Sequence, residues 1–256
     1  MNTNDLNSPL TAIIVGAGHR ALLYASYAQE HPDKLQIVGV ADPIEDRRKY
    51  VAQLYNLSSS RCFTGVEELA AQSKLADVVI NGTMDHQHVE TSLPLLEKGY
   101  DILLEKPFAV NEEEMMELVK TAERYGRKVM ICHVLRYTPF YKAIKQKLAD
   151  GAIGDIISIQ TTEHVSFHHM STSFVRGKWR SEKYSHTSML LAKCCHDLDI
   201  IMWMHSGTAP AAVSSFGSTY RFVKGKKPEG AGTRCMVDCP IEDGCIYSAG
   251  KHYIEN

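Results

Sequence analysis

The chain has 256 residues, 44% of them hydrophobic and 23% charged, with a formal net charge of −2. That length suits one large domain or two modest ones, and the balance of charge gives no reason to expect nucleic acid or an anionic membrane as a partner. No apolar run approaches the roughly 20 residues of a membrane-spanning helix. The polar opening MNTNDLNSPL has no secretory pattern and the seven cysteines are odd in number, so the expected setting is a reducing cytoplasm.

Residues 11–21, TAIIVGAGHRA, open the organised part of the chain. The apolar run Ala12–Val15 reads as a buried strand, Gly16-Ala17-Gly18 as a tight turn, and the residues after it as a helix start. Gly16 permits the turn, Gly18 lets a pyrophosphate approach the backbone, and Ala21 at the third glycine position is small enough for helix–strand packing. The free N–H groups and positive dipole end of that helix would face phosphates. A second apolar strand, 35–41, ends at Asp42, at the spacing from the glycines that suits an adenosine ribose.

The pattern then repeats. A helix over 19–30 precedes the 35–41 strand, and a charged helix over 44–55 follows it. A short strand and helix lie in 62–72, a strand in 76–83, a helix in 88–99 and a strand in 101–107. Asn111 with Glu114 forms a capping box for a helix whose apolar side is Met115, Leu118, Val119 and Ala122. Gly126 ends it, and a sixth strand lies in 128–134. Strands alternating with helices at this spacing give an α/β fold, a Rossmann doubly wound parallel sheet over residues 1–134. Beyond it a partial α+β domain with an open sheet is expected over 135–256. Its expected elements are a helix from Pro139 to Ala149, a long strand over 153–167, a non-periodic loop over 168–187, a helix over 189–205 and a second long strand over 211–222.

Glu105-Lys106-Pro107 falls at the carboxyl end of the fifth strand, the edge at which doubly wound sheets bind ligands. A plain reading is a charged strand end with a turn proline. A lysine beside a positively charged nicotinamide would instead have its pKa pushed down by like charge, which suits it to take a hydroxyl proton. His196 and Asp197 lie on the 189–205 helix with Lys193 one turn earlier on the same face. His196 reads either as a core histidine or as a general acid/base. Arg176, Trp179 and Arg180 form either a solvated loop or a polar-ligand cluster. Cys235, Cys239 and Cys245 lack paired zinc spacing, so free thiols are expected and no metal.

VGAGHRA (15–21), VADP (40–43), NGTMDHQHVE (81–90), LLEKPFAV (103–110), HVLRYTPFY (133–141), GAIGDI (151–156) and CCHDLDIIMW (194–203) together resemble the Gfo/Idh/MocA oxidoreductases. The resemblance implies NAD(P)-dependent hydride transfer on a sugar, polyol or related carbohydrate-like substrate, and a homo-oligomer formed through the C-terminal sheet. It places Lys106 as the lysine of the Glu-Lys-Pro turn, His88 in the loop after the fourth strand and His196 as the active-site histidine. Lys193 joins these two as an expected catalytic residue. Expected cofactor contacts are Gly16, Gly18, His19, Arg20, Asp42, Thr83, His88, Glu105 and Lys106. Expected substrate contacts are Arg136, Arg176, Trp179, Arg180 and Asp197. Asp42 favours NAD over NADP, with Arg47 and Arg48 softening that preference. The family often has an aspartate four residues before the histidine, where this chain has Ala192. Its members are also longer, so a C-terminally truncated member is expected. An NAD-dependent glycosidase, a redox-inactive NAD-binding sensor and a zinc-stabilised variant of these are the alternatives.

Overall fold

The computed structural model describes residues 8–255. Residues 1–7, within the stretch read for a secretory signal, lie outside the described ones. The chain divides into two compact units. One runs to Tyr137 and includes Ser185–Cys195; the other comprises Thr138–Tyr184 and the chain from His196.

The first unit is built on a six-stranded sheet of order β3-β2-β1-β4-β5-β6, with every pairing parallel. The strands are β1 (Leu10–Val15), β2 (Leu35–Ala41), β3 (Cys62–Phe63), β4 (Val78–Asn81), β5 (Asp101–Leu104) and β6 (Val129–Ile131). In chain order the helices are α1 (His19–Ala25, with a further turn over Tyr27–Glu30), α2 (Glu45–Tyr55), α3 (Val66–Ala70), α4 (His88–Glu97) and α5 (Glu112–Tyr125). A strand covered on both faces needs apolar residues at every position rather than at alternate ones. β1 meets that need, since Ala12, Ile13, Ile14 and Val15 are all buried. Ala12 and Ile14 pack in one layer with Ala21, Ala25 and Val51. Ile13 and Val15 pack in the other with Leu69, Leu95, Leu96, Leu104 and Leu118. The sheet is therefore doubly wound, as the alternation of elements requires.

Local signals set the helix ends. Asn111 Oδ1 accepts from the Glu114 amide at 2.8 Å while the Asn111 amide group donates to Glu114 Oε1 at 3.0 Å. Gly126 closes α5 at φ 61°, a conformation that costs glycine little. Of the side expected to be apolar, Leu118 is buried in the core and Ala122 packs against it, whereas Val119 is 43% exposed. The stripe that meets the sheet is narrower than the sequence pattern suggests.

In the second unit α6 (Pro139–Ala149) starts at Thr138, whose hydroxyl accepts from the Tyr141 amide. The boundary between the units falls inside α7 (Met189–Met204), between residues 195 and 196. Within the second unit Lys145 Nζ donates to the Trp203 carbonyl at 2.8 Å and to Ser206 Oγ at 2.7 Å. The two long strands expected over 153–167 and 211–222 are not formed. Among the described residues no strand follows β6. A strand is stable only when a neighbour satisfies its backbone groups, and here Ile157 and Phe216 stand 92% and 98% exposed instead of covering a core. Among the described residues no helix is long and apolar enough to cross a membrane.

Leu104 is fully buried at the end of β5. Leu104→Ala is expected to lower the unfolding free energy by about 2–5 kcal/mol in a denaturant titration, because the rigid sheet around it cannot collapse into the space left behind.

Candidate functional site

Parallel register brings the carboxyl ends of the strands to one edge. Val15 pairs with Ala41 on one side and with Asn81 on the other. The residues just beyond, Gly16, Asp42 and Gly82, therefore emerge side by side. The order of connection reverses between β1 and β4, which opens a crevice there. Gly16 has φ +74°, and a Cβ on it would lie 2.7 Å from the Thr83 nitrogen. Only glycine lets the two chains meet so closely. A Cβ on Gly82 would lie 2.8 Å from the Cβ of Ala21, so α1 also packs directly on this edge. At Gly18, by contrast, a Cβ would find its nearest neighbour, the Gly82 carbonyl oxygen, at 3.9 Å. Room is left beside the glycine turn, and no side chain caps the start of α1. This cradle fits a dinucleotide diphosphate.

Asp42 is 2% exposed. Its Oδ2 accepts from the Ala17 amide and its Oδ1 from the Ile44 amide, each at 2.8 Å. Arg47 Nη1 lies 3.5 Å from Oδ2, and Arg48 Nη1 donates to the Asp42 carbonyl at 2.6 Å. His19 and Arg20, in the first turn of α1, are exposed.

On the other side of the crevice the polar groups are locked together. The Asn81 amide group donates to Thr91 Oγ1 at 2.9 Å and to Ser92 Oγ at 3.0 Å, while its Oδ1 accepts from Thr83 Oγ1 at 2.8 Å. His88 is 1% exposed, with Nδ1 2.7 Å from the Pro107 carbonyl and Nε2 3.2 Å from the Thr83 carbonyl. The shorter contact assigns the ring proton to Nδ1, so His88 ties α4 to the turn that carries Lys106. Burial holds its pKa below the ordinary histidine value, and the facing carbonyls and the charges of Asp85 and Glu105 only partly oppose this.

Glu105 is buried with both oxygens engaged. Oε1 accepts from the Tyr24 hydroxyl and Oε2 from the Lys106 amide, each at 2.6 Å. Burial, then the hydrogen bond to Glu105 and its charge, hold the Tyr24 phenol well above its usual range. Burial, assisted by Glu105, pushes the Cys132 thiol up to about 12, so it is an inert neighbour and not a nucleophile. Lys106 is half-buried, and its Nζ donates to the Ala192 carbonyl at 2.9 Å. A main-chain oxygen of α7 thus meets the lysine at the residue where a side-chain carboxylate is absent.

The first unit thus brings together Gly16, Gly18, Asp42, Thr83, His88, Glu105 and Lys106. Arg136 lies on the single turn Val134–Tyr137 after β6, and Lys193 is half-buried in the first half of α7. His196 and Asp197 fall in the second unit, both half-buried. Arg176 is engaged within that unit, donating to the Tyr247 carbonyl at 2.5 Å and to His252 Nδ1 at 3.2 Å. Arg180 lies over the Tyr184 ring, and Trp179 packs near Phe174. Among the described residues no group of three or more His, Cys, Asp or Glu is placed to hold a metal. Tyr24, Asn81 and Cys132 belong to the site and were not singled out by the sequence. Only Asn81, opening the NGT turn after a buried strand, carries a local signal.

Comparison with known proteins agrees with this geometry. Residues 10–133 match a family described as oxidoreductases with an NAD-binding Rossmann fold, and residues 141–248 match the C-terminal domain of the same family. The chain is 25% identical over 190 residues to the putative oxidoreductase YteT of Bacillus subtilis, covering 73% of this chain and 43% of that protein. It is 28% identical over 182 residues to the trans-1,2-dihydrobenzene-1,2-diol dehydrogenase of Xenopus tropicalis, covering 71% and 52%. The chain thus spans about half the length of the curated relatives it matches. In fold it is similar to the WlbA dehydrogenase of Bordetella pertussis, crystallised with NADH and UDP-GlcNAcA. That match has a TM-score of 0.63 and 18% identity over 77% of this chain and 58% of that one.

His88 generates a pH dependence whose sign is fixed. Its folded pKa is depressed, so its contribution is intact above the ordinary histidine value. Below that value the unfolded chain takes up a proton that the folded chain refuses, and stability is lost. One such proton is worth at most about 1.4 kcal/mol per pH unit. His88→Gln is expected to lower Tm near neutral pH and to flatten its fall between about pH 7.5 and 5.5. A mutant Tm that falls as steeply as the wild type's would assign the acid sensitivity elsewhere.

Proposed function

Because the chain belongs to the Gfo/Idh/MocA family of NAD-binding oxidoreductases, we propose that it transfers a hydride between a nicotinamide dinucleotide and a hydroxylated substrate, a sugar, polyol or related compound. The observation that carries this reading is the convergence of the Gly16 turn, Asp42, Thr83 and the Glu105-Lys106-Pro107 turn on one sheet edge. When bound there, NAD supplies the hydride acceptor. The glycine turn brings main-chain N–H groups to the diphosphate. Glu105 and His88 fix the turn carrying Lys106, one through its amide and the other through the Pro107 carbonyl. Lys106, half-buried and already oriented by one hydrogen bond, holds or takes the hydroxyl proton at Nζ.

The role of His196 in this reading is to hydrogen-bond the substrate hydroxyl, with Lys193 three residues earlier on α7 as a second proton carrier. Arg136, Trp179, Arg180 and Asp197 are the proposed substrate contacts. Arg176 is a weaker candidate, because two of its guanidinium nitrogens are already held by Tyr247 and His252. The sugar-like substrate class is supported by the sugar nucleotide crystallised with the WlbA dehydrogenase and by the diol named for the Xenopus relative. All seven cysteines are free thiols, which suits the proposed cytoplasmic setting. Self-association through the second unit is part of the proposal, since Ile157, Val213 and Phe216 stand exposed there.

The test is a screen of sugars, polyols and sugar nucleotides with NAD, read by absorbance of the reduced nicotinamide. Turnover of a free hydroxyl compound is the expected result. Release of an aglycone would make the protein a glycosidase, and cofactor binding with no turnover would make it a sensor. With a substrate in hand, Lys106→Ala is expected to lower kcat by about 10²–10⁴-fold while changing NADH affinity little. A mutant keeping more than half its activity would remove Lys106 from the chemistry.

A further inference from the structure

We infer that Tyr24 is a positioning residue for Lys106, holding the lysine's turn in place through the Glu105 carboxylate. The inference rests on the reading of Lys106 as the group that handles the hydroxyl proton.

The pairing of β5 ends at Leu104, opposite Asn81 on one side and Ile131 on the other. The Glu105 amide makes one more bond, to the Asn81 carbonyl at 2.9 Å. Pro107, two residues on, has no N–H to give. Between them the Lys106 amide donates to Glu105 Oε2 at 2.6 Å, so the main chain that carries the lysine is held by its neighbour's side chain. That hold is only as firm as the carboxylate. A glutamate has three side-chain torsions, and one bond to the next amide leaves the other oxygen to swing. The Tyr24 hydroxyl removes that freedom by donating to Oε1 at 2.6 Å. With both oxygens taken and the residue 7% exposed, the carboxylate plane is fixed.

α1 places Tyr24 for this task. A Cβ on Gly82 would lie 2.8 Å from that of Ala21, three residues before Tyr24 on the same helical face, so this face sits on the end of β4. β5 is the next strand in the sheet. The phenol reaches past β4 to the end of β5 on a ring with two torsions, which makes it a stiff pin.

The phenol donates and does not ionise. Burial, then the bond to Glu105 and its charge, hold its pKa well above the usual range. The Cys132 thiol also lies against it, but burial pushes that thiol up to about 12, and a neutral thiol is a weak acceptor. Tyr24 therefore gives no proton to a substrate. It acts through the direction in which Lys106 points.

Lys106 has two anchors, Glu105 at its amide and the Ala192 carbonyl 2.9 Å from its Nζ. Tyr24→Phe deletes one oxygen atom and leaves Glu105 Oε1 buried without that donor. The carboxylate then turns toward another donor and the first anchor loosens. A displacement of about 1 Å at a reacting group costs up to about 10²-fold in rate.

The experiment is steady-state kinetics, on the substrate found by the screen, of the wild type, Tyr24→Phe, Glu105→Gln and the double variant. Tm is the folding control, and NADH affinity is read by fluorescence titration. Tyr24→Phe is expected to lower kcat by about tenfold or more while changing KM and NADH affinity by less than about threefold. Glu105→Gln is expected to lower kcat as well. Adding Tyr24→Phe to it should change kcat by no more than about twofold, because the hydroxyl's partner is already altered. A purely structural tyrosine would lower Tm and leave kcat of the folded protein intact. Wild-type kcat in Tyr24→Phe or in Glu105→Gln, or losses that multiply in the double variant, would overturn the inference. Lys106→Ala measured alongside separates the two claims. An active Lys106→Ala overturns the reading of Lys106 itself, whereas an inactive one beside an unimpaired Tyr24→Phe overturns only the role given to Tyr24. Absence of turnover throughout the screen would overturn the hydride-transfer reading and this inference with it.

Discussion

The close approach of the chain at Gly16 to the chain at Gly82 and Thr83 is the constraint on which the rest depends. A Cβ at residue 16 would come within 3 Å of three main-chain atoms of residues 82 and 83. That closeness lets β1 and β4 end at the same level, and it lets α1 settle on Gly82 through Ala21. If the turn were wider, α1 would lift from the sheet. The distance from Tyr24 on α1 to Glu105 after β5 would then open as well. One residue without a side chain thus sets the spacing between the two walls of the crevice.

The two walls are held by different means. On the Asp42 side, a buried carboxylate accepts two main-chain amides and faces Arg47, while Arg48 holds the Asp42 carbonyl. On the Lys106 side Thr83 donates to Asn81 Oδ1, His88 donates from Nδ1 to the Pro107 carbonyl, and the Glu105 carboxylate accepts from Tyr24 and the Lys106 amide. Buried polar networks are costly when incomplete and rigid when satisfied. Here nearly every buried group between Asn81 and Pro107 has a partner, and Lys106 Nζ is itself oriented by the Ala192 carbonyl. A rigid surround that orients this lysine suits the proton-handling role proposed for it.

Much of the first unit was legible because its signals are local. A continuous apolar run marks a strand covered on both faces, glycine at a fixed offset marks the turn, and Asn111 with Glu114 marks a helix start. Residues 10–15, 35–41 and 112–125 fold as these signals require. Tyr24 and Cys132 were invisible because their roles come from register: they meet Glu105 only after strands far apart in sequence line up. Asp42 was legible as the residue that ends the second strand but not in its detailed contacts, since nothing in the sequence tells that two backbone amides occupy its oxygens. The segments 153–167 and 211–222 failed for a related reason. Alternation of apolar residues reports a preference for extended backbone, but a strand exists only where a neighbour pairs with it. Arg176 reads from sequence as either a solvated loop residue or a ligand contact, and its bonds to the Tyr247 carbonyl and His252 come from parts of the chain too far apart for the sequence to show.

The position of NADH in a crystal of the chain is the most direct test of the crevice as a dinucleotide site. The diphosphate is expected over the Gly16–Gly18 turn, the adenosine ribose toward Asp42, and the nicotinamide toward Thr83 and Lys106. A dinucleotide bound elsewhere on the molecule, or lying reversed with its nicotinamide against Asp42, would contradict that placement.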